Sequence, residues 1–485
     1  MSLTSTQEEV LEEIIEAYEN GKRLSDLPEA TGTNPYDMYV EVLDEDGESK
    51  KAALANLLPY LEDEYAYGIE FDTSVSSPTC TRIGNSDLHA SLPVQSRMRG
   101  CLLDDDGNVV EYLDPSDWTS NVRDGSRGQV MVEIPLHYRK FETDGTVRRV
   151  YISAYPLAGY DVVPLTYVSA YEAALDRTNS QLCSVVNTDD QYIGGDGSTS
   201  YDADDYTLCG KPATVISLTN FRKYARARGD VGLNSCGWNC MTYDAQKTLY
   251  WLFVVEYATL NTQATYNAEL DDNGYHQGGL GAGVTTINGT FWNSWNGYRP
   301  FIPCGTTDEL GNTTGTVDFD MPSGYLEAAG VDSLTVSVPR YRGVENPFGH
   351  IWQWTDGVLV EITPDDDDEE GTSACYVCSD PSAFSSTSYD SYSHIGNLPR
   401  EDGYVTAVLF GEGGEIAPKT VGGGSTTYFC DFFYTSIPAS TTIRSLLFGG
   451  YANHETYAGF VCAHSTHVPS DTHAYIGSRL VFLPE

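Results

Sequence analysis

Four of the nine histidines in this 485-residue chain fall in one stretch near its end, Tyr451 to Tyr475, which reads YANHETYAGFVCAHSTHVPSDTHAY. His454, His464, His467 and His473 are interleaved there with Tyr451, Asn453, Thr456, Tyr457, Thr466, Asp471 and Tyr475. Tyr and His bring flat rings that lose little entropy when fixed, and Asn, Thr and Asp add directional hydrogen bonds. That mixture suits a surface built to hold a ligand. These positions are the expected ligand contacts, with their side chains exposed together. A metal site is one rival reading. The spacing His464-x2-His467-x5-His473 matches no common zinc pattern, and no nearby Cys or carboxylate pair completes one, so neither metal nor cofactor is expected. An ordinary polar loop is the other alternative.

Elsewhere the residues offer little catalytic chemistry. Eleven Cys are scattered along the chain. The closest pairs, Cys236/Cys240 and Cys375/Cys378, lack the second pair and the His spacing of a zinc site, so buried structural thiols are expected. The acidic run Asp365 to Glu370 lacks the alternating spacing that arranges oxygens around Ca²⁺ and reads as a solvated loop. No Walker A loop, H-E-x-x-H or G-x-S-x-G motif occurs, and no enzyme is expected. With Lys+Arg of 27 against Asp+Glu of 70, the net charge is −43. Such a surface repels phosphate backbones and anionic lipids, so nucleic acid is not an expected partner. The longest apolar stretch, Leu249 to Leu260, is interrupted by Glu256, so membrane insertion is not expected either. Met1 to Gly21 carries acidic residues where a signal peptide has a basic segment, and classical secretion is not expected.

The elements that must position the His-rich stretch are legible on both sides of it. Leu446 to Gly450 and Ile476 to Phe482 are apolar and strand-like, and would give it a rigid base. Two helices are predicted upstream: Ser217 to Arg228, stopped by Gly229, and Thr242 to Leu260, with Ala245, Leu249, Leu252, Phe253 and Tyr257 on its apolar face. VMVEIPLHYRKFE and VRRVYISAYPL read as strands paired about a Thr143-Asp144-Gly145 turn. Long Gly-, Asn-, Ser- and Thr-rich loops are expected over 194–206, 273–296 and 379–392. At the N-terminus a capping box, Ser5 and Glu8, opens an amphipathic helix to Asn20. A strand (Met38 to Leu43), a turn (Asp44 to Gly47) and a helix (Lys50 to Leu61) follow. The expected division is residues 1–64 as a small α/β module, 65–127 as a β-rich connector, and 128–485 as one α+β domain.

Several phrases carry a family likeness. PRYRGVENPFGHIWQWTDG, Pro339 to Gly357, resembles the core phrase of the formylglycine-generating-enzyme-like branch of the C-type lectin fold. TYVSAYEAALDR (Thr166 to Arg177), FGG (Phe448 to Gly450) and IGSRLVF (Ile476 to Phe482) resemble further parts of that fold, in order. Under this likeness Trp352 and Trp354 are buried, with Gly349 and Gly357 bracketing their strand. The family's oxidases use a closely placed Cys pair; here Cys430 and Cys462 are far apart in sequence, so a copper oxidase is only the runner-up. The variable proteins of diversity-generating retroelements resemble the same branch and randomise AAC codons in a C-terminal repeat. Within Tyr451 to Tyr475 only Glu455 belongs to the residues those codons exclude. LPEATGTNPYDMYVEV resembles an N-terminal module of phage head and tail proteins. The resemblances together imply a virion fibre or spike, head or tail, binding a host cell-surface receptor through 451–475. They also imply docking on other virion proteins through 1–64 and a trimeric class. A bacterial surface adhesin of the same fold is a further alternative.

Overall fold

The computed structural model describes residues 39–43, 49–53, 58–199, 208–229, 237–272, 274–280, 292–293, 296–321, 332–366 and 370–484. Over these residues the fold is mixed α+β, rich in strands and with few helices. The expected helix Ser5 to Asn20 and the LPEAT phrase lie outside the described residues. Tyr39–Leu43 is a strand, as its alternating pattern suggests. It pairs antiparallel with Ser49–Ala53, the stretch expected to open a helix. The helix instead begins at Leu58 and ends at Tyr65. Lys and Ala are good helix formers, but intrinsic propensity is a weak preference that context overrides, and here the antiparallel pairing of the two strands outweighs it.

Both predicted central helices form. Leu218–Arg226 is capped by Ser217, whose side chain accepts from Asn220 N. Tyr243–Tyr257 is capped by Thr242 and closed by Ala258 in the left-handed conformation. Almost every residue of the second helix is buried, so it runs through the core and does not lie on the surface. Trp251 donates to Gly414 O at 2.7 Å and packs on Phe71, Phe141 and Phe410. Lys247 pairs there with Glu415 at 3.1 Å.

Three sheets surround this helix. In the first, Asp161–Val163, His137–Asp144, Val147–Ser153, Ala66–Asp72 and Thr81–Gly84 lie side by side. The expected hairpin is present, with Asp144 opposite Val147 and Gly145 at φ 58°. Its first arm is broken at Pro135-Leu136, because Gln129–Ile134 belongs to the second sheet. That sheet runs Trp238–Cys240, Leu480–Phe482, Thr166–Ser169, Gln129–Ile134, Arg99–Leu103 and Val109–Tyr112. The span expected as a connector therefore contributes strands to both sheets. Arg99–Leu103 pairs in full register with Gln129–Ile134, and Tyr67, Ile69 and Leu102 share one apolar core with Val461 and Val481. The physical reason is burial: these strands alternate with Gly and Asp turns, but their apolar faces have no other place to go.

The third and largest sheet carries the C-terminal stretch. Its order is Ser393–Asn397, Ser373–Val377, Trp352–Ile362, Thr442–Gly449, Gly459–His464, Phe432–Tyr434, Gly403–Val408 and Pro418–Val421, with Ile476–Gly477 pairing parallel to Trp352–Gln353. Trp352 and Trp354 are 2% and 0% exposed, as expected. Trp354 donates its indole N–H to Ile216 O at 2.9 Å. Gly349 precedes the strand at φ 82°. Gly357 does not bracket the strand. It lies within it, at φ 79°, where the pairing with Thr442–Gly449 shifts between Trp354 and Leu359.

A network of buried charge ties these parts together. Asp308 accepts from Tyr171 Oη at 2.8 Å, pairs with Arg123, and faces Arg340 at 3.4 Å. Arg340 donates to Thr307 Oγ1 at 2.8 Å and Gly311 O at 2.9 Å, and its guanidinium lies 3.9 Å over the Trp118 ring. Thr307 N and Oγ1 both donate to Glu345. Arg479, from the closing strand phrase, donates to Ser169 O, Glu345 O and Asn346 O. The phrase 339–357 is thus stitched to both the closing strand and the second sheet.

Candidate ligand-binding surface

Residues 451–475 are not one exposed loop. Gly459–His464 is an interior strand, and Phe460, Val461, Cys462 and Ala463 are fully buried. Tyr457 is exposed at 38%, whereas His454 and Thr456 are buried at 8% and 9%. Tyr451, Asn453, His464, Thr466, His467, Asp471, His473 and Tyr475 are half-buried. The expectation of jointly exposed side chains is therefore corrected. The reason lies in sequence: GFVCA is an apolar run that must cross the sheet, and it draws its flanking residues partly into the core.

The rings nevertheless converge. Trp352 forms the floor, with His464 stacked on it at 5.1 Å and His454 edge-on at 5.3 Å. Tyr434 stacks on His454 at 5.0 Å, in line with the parallel pairing of Tyr434 with His464. On one side Tyr457 leans on Phe432 at 4.6 Å. On the other, His464, His467, His473 and Tyr475 follow ring to ring at 4.8, 4.3 and 5.1 Å. Tyr451 closes the circuit, 4.0 Å from His454 and 5.3 Å from Tyr475, and Trp292 and Tyr298 extend it. Every histidine of the segment takes part.

Buried side chains elsewhere hold this surface from beneath. Gln263 donates to Ala458 O at 2.6 Å and Glu455 O at 2.9 Å. Gln246 donates to Phe460 O at 2.8 Å. Tyr404 Oη meets Thr456 Oγ1 at 2.8 Å, which makes Thr456 a support more than a contact. Behind it Asp431 accepts from Val461 N at 2.9 Å, and burial raises its carboxyl well above the usual range. A Cβ at Gly459 would lie 2.0 Å from Asp431 Oδ1, so only glycine fits there.

Tyr434, Phe432 and Trp352 were not among the expected contacts. The alternation in Phe432-Phe433-Tyr434, with Phe433 fully buried, is the signal that marks the outer two. Asp471 was expected as a ligand contact but not as a partner of histidine; its Oδ2 lies 3.3 Å from His467 Nδ1 and accepts from Val468 N at 3.1 Å. Cys430 and Cys462 are both buried and in no disulfide among the described residues, and burial pushes both thiols up. Cys462 lies in an apolar cluster with Trp352, Trp354 and Leu447.

No family model matches the sequence, and no curated protein matches it.

Burial lowers the pKa of His454 well below the ordinary value and that of His464 to about 3, so both rings are neutral near pH 7. The unfolded chain protonates His454 near pH 6.5 and the folded chain does so only far lower. Its contribution to stability is therefore fully present above about pH 6.5 and is lost as the pH falls below it. Urea midpoints measured from pH 7 to pH 4.5 should fall less steeply for H454Q than for the wild type. Parallel curves would show that His454 takes up its proton without unfolding.

Proposed function

We propose that this chain is a non-enzymatic attachment protein of a phage-type virion that binds a host-surface glycan or protein through the ring surface over Trp352. The observation that carries this reading is the convergence of Tyr451, His454, Tyr457, His464, His467, His473 and Tyr475 into one aromatic surface on a rigid sheet. Half-buried rings fixed by their neighbours meet a ligand at low entropic cost, and Tyr457 offers a free edge.

The scaffold we propose is the C-type-lectin fold of the formylglycine-generating-enzyme branch. Two central helices, short strands and long loops support it, as do the buried Trp352 and Trp354. In the same reading residues 1–64 dock on other virion proteins, the particle carries the protein as a trimeric head or tail fibre, and a retroelement diversifies 451–475. A copper oxidase needs two thiolates at one ion. Cys430 and Cys462, with thiols pushed up by burial and by the neighbouring Asp431 carboxylate, favour the binding reading.

Two observations on the source genome and its particles test the proposal. Mass spectrometry of purified virions should find this chain, and the gene should lie among capsid or tail genes. A near-copy of its 3′ end, differing only at adenines, should lie beside a reverse-transcriptase gene. A gene within a bacterial surface operon would overturn the virion assignment, and differences at other bases would overturn diversification.

A further inference from the structure

One ring nitrogen each from His467 and His473 and one carboxylate oxygen of Asp471 lie within 4.8 Å of one another. We propose that these three residues form a site for a borderline divalent transition cation of the Zn²⁺ class, with an open coordination position facing outward. Two imidazoles and one carboxylate suit such ions better than Ca²⁺ or Mg²⁺, which prefer all-oxygen shells. Donors bound at about 2.0–2.2 Å around a tetrahedral ion sit roughly 3.4 Å apart. His467 Nδ1 and Asp471 Oδ2 already stand at that spacing, 3.3 Å apart.

The backbone beneath the donors is already fixed. His467 O accepts from Ser445 N at 2.9 Å, Pro469 O from Leu218 N at 3.1 Å, and His473 O from Val215 N at 3.0 Å. Asp471 N closes a turn on Val468 O at 3.0 Å, which points its carboxylate at His467. The three side chains are half-buried, so an ion between them would keep a face open to solvent. His464 stands beside the site, its ring 4.8 Å from His467 and its Nδ1 buried without a partner among the described residues.

Two neutral imidazoles and one carboxylate leave a divalent ion with a net positive charge, on a chain whose net charge is −43. The open position would therefore accept an anionic oxygen, such as a carboxylate of the bound receptor. That role rests on the receptor-binding reading; the site itself does not.

Full-length protein stripped with chelator and titrated with Zn²⁺ should bind one ion in this site by calorimetry. Co²⁺ should give visible bands of an N/O site without a thiolate charge-transfer band. H467A, D471A and H473A should each weaken binding at least tenfold, whereas H394A, at an exposed histidine, should not. Zn²⁺ should raise the melting temperature of the wild type but not of H473A, and without metal the two should melt alike. Absence of saturable binding, or binding undiminished in H473A, would overturn the site. Host-cell attachment that is equal in chelator and in Zn²⁺ would overturn the metal's role while leaving receptor binding intact, and no attachment in either would overturn receptor binding while leaving the site.

Discussion

Arg340→Ala should cost about 3–5 kcal/mol of folding stability, the range for removing one partner of a buried ion pair. Arg340 is fully buried, and its guanidinium faces Asp308 Oδ1 at 3.4 Å. Without it the Asp308 carboxylate keeps Arg123 and Tyr171 among the described residues, while Thr307 Oγ1 and Gly311 O lose a donor. The Trp118 face also loses the cation above it. Urea unfolding followed by tryptophan fluorescence should show a lower midpoint with an unchanged slope. A loss under about 1 kcal/mol would mean that water or a neighbouring side chain replaces the guanidinium.

Trp352→Ala should have an effect of similar size by a different route. Removing a buried indole typically costs about 3–5 kcal/mol, part of it from the cavity left behind. Here the cavity opens directly under His454 and His464, which rest on the indole at 5.3 and 5.1 Å. The variant should therefore lose ligand binding even where it remains folded. Trp352→Phe restores an apolar floor and should recover most of the stability. If Trp352→Ala melts normally yet Trp352→Phe does not rescue binding, Trp352 is a direct contact and not a floor.

Local signals were the legible part of this chain. Ser217 and Thr242 announce their helices because capping is a short-range hydrogen bond. Gly145 announces the hairpin because its positive φ is a property of one residue. The Trp352–Ile362 strand is legible from its alternating indoles. What escaped was long-range. Residues 65–127 look like a connector until their apolar faces meet strands far along the chain. Asp308 and Arg340 are ordinary surface types, and nothing near either one names its partner. The candidate site is intermediate. The residue types of 451–475 were readable, but their partial burial follows from Gly459–His464 crossing the sheet, and Tyr434 joins them only through a parallel pairing.

Attachment of the purified chain to cells of the proposed host tests the receptor-binding reading most directly. The wild type should bind saturably and compete with itself. A Tyr457→Ala, His473→Ala double variant should bind at least about 30-fold more weakly, as expected when anchors worth about 2 kcal/mol or more are lost. With metal removed, its melting temperature should match the wild type, because Tyr457 is exposed and His473 half-buried. Undiminished attachment by this double variant, with its fold intact, would contradict the assignment of this surface to receptor binding.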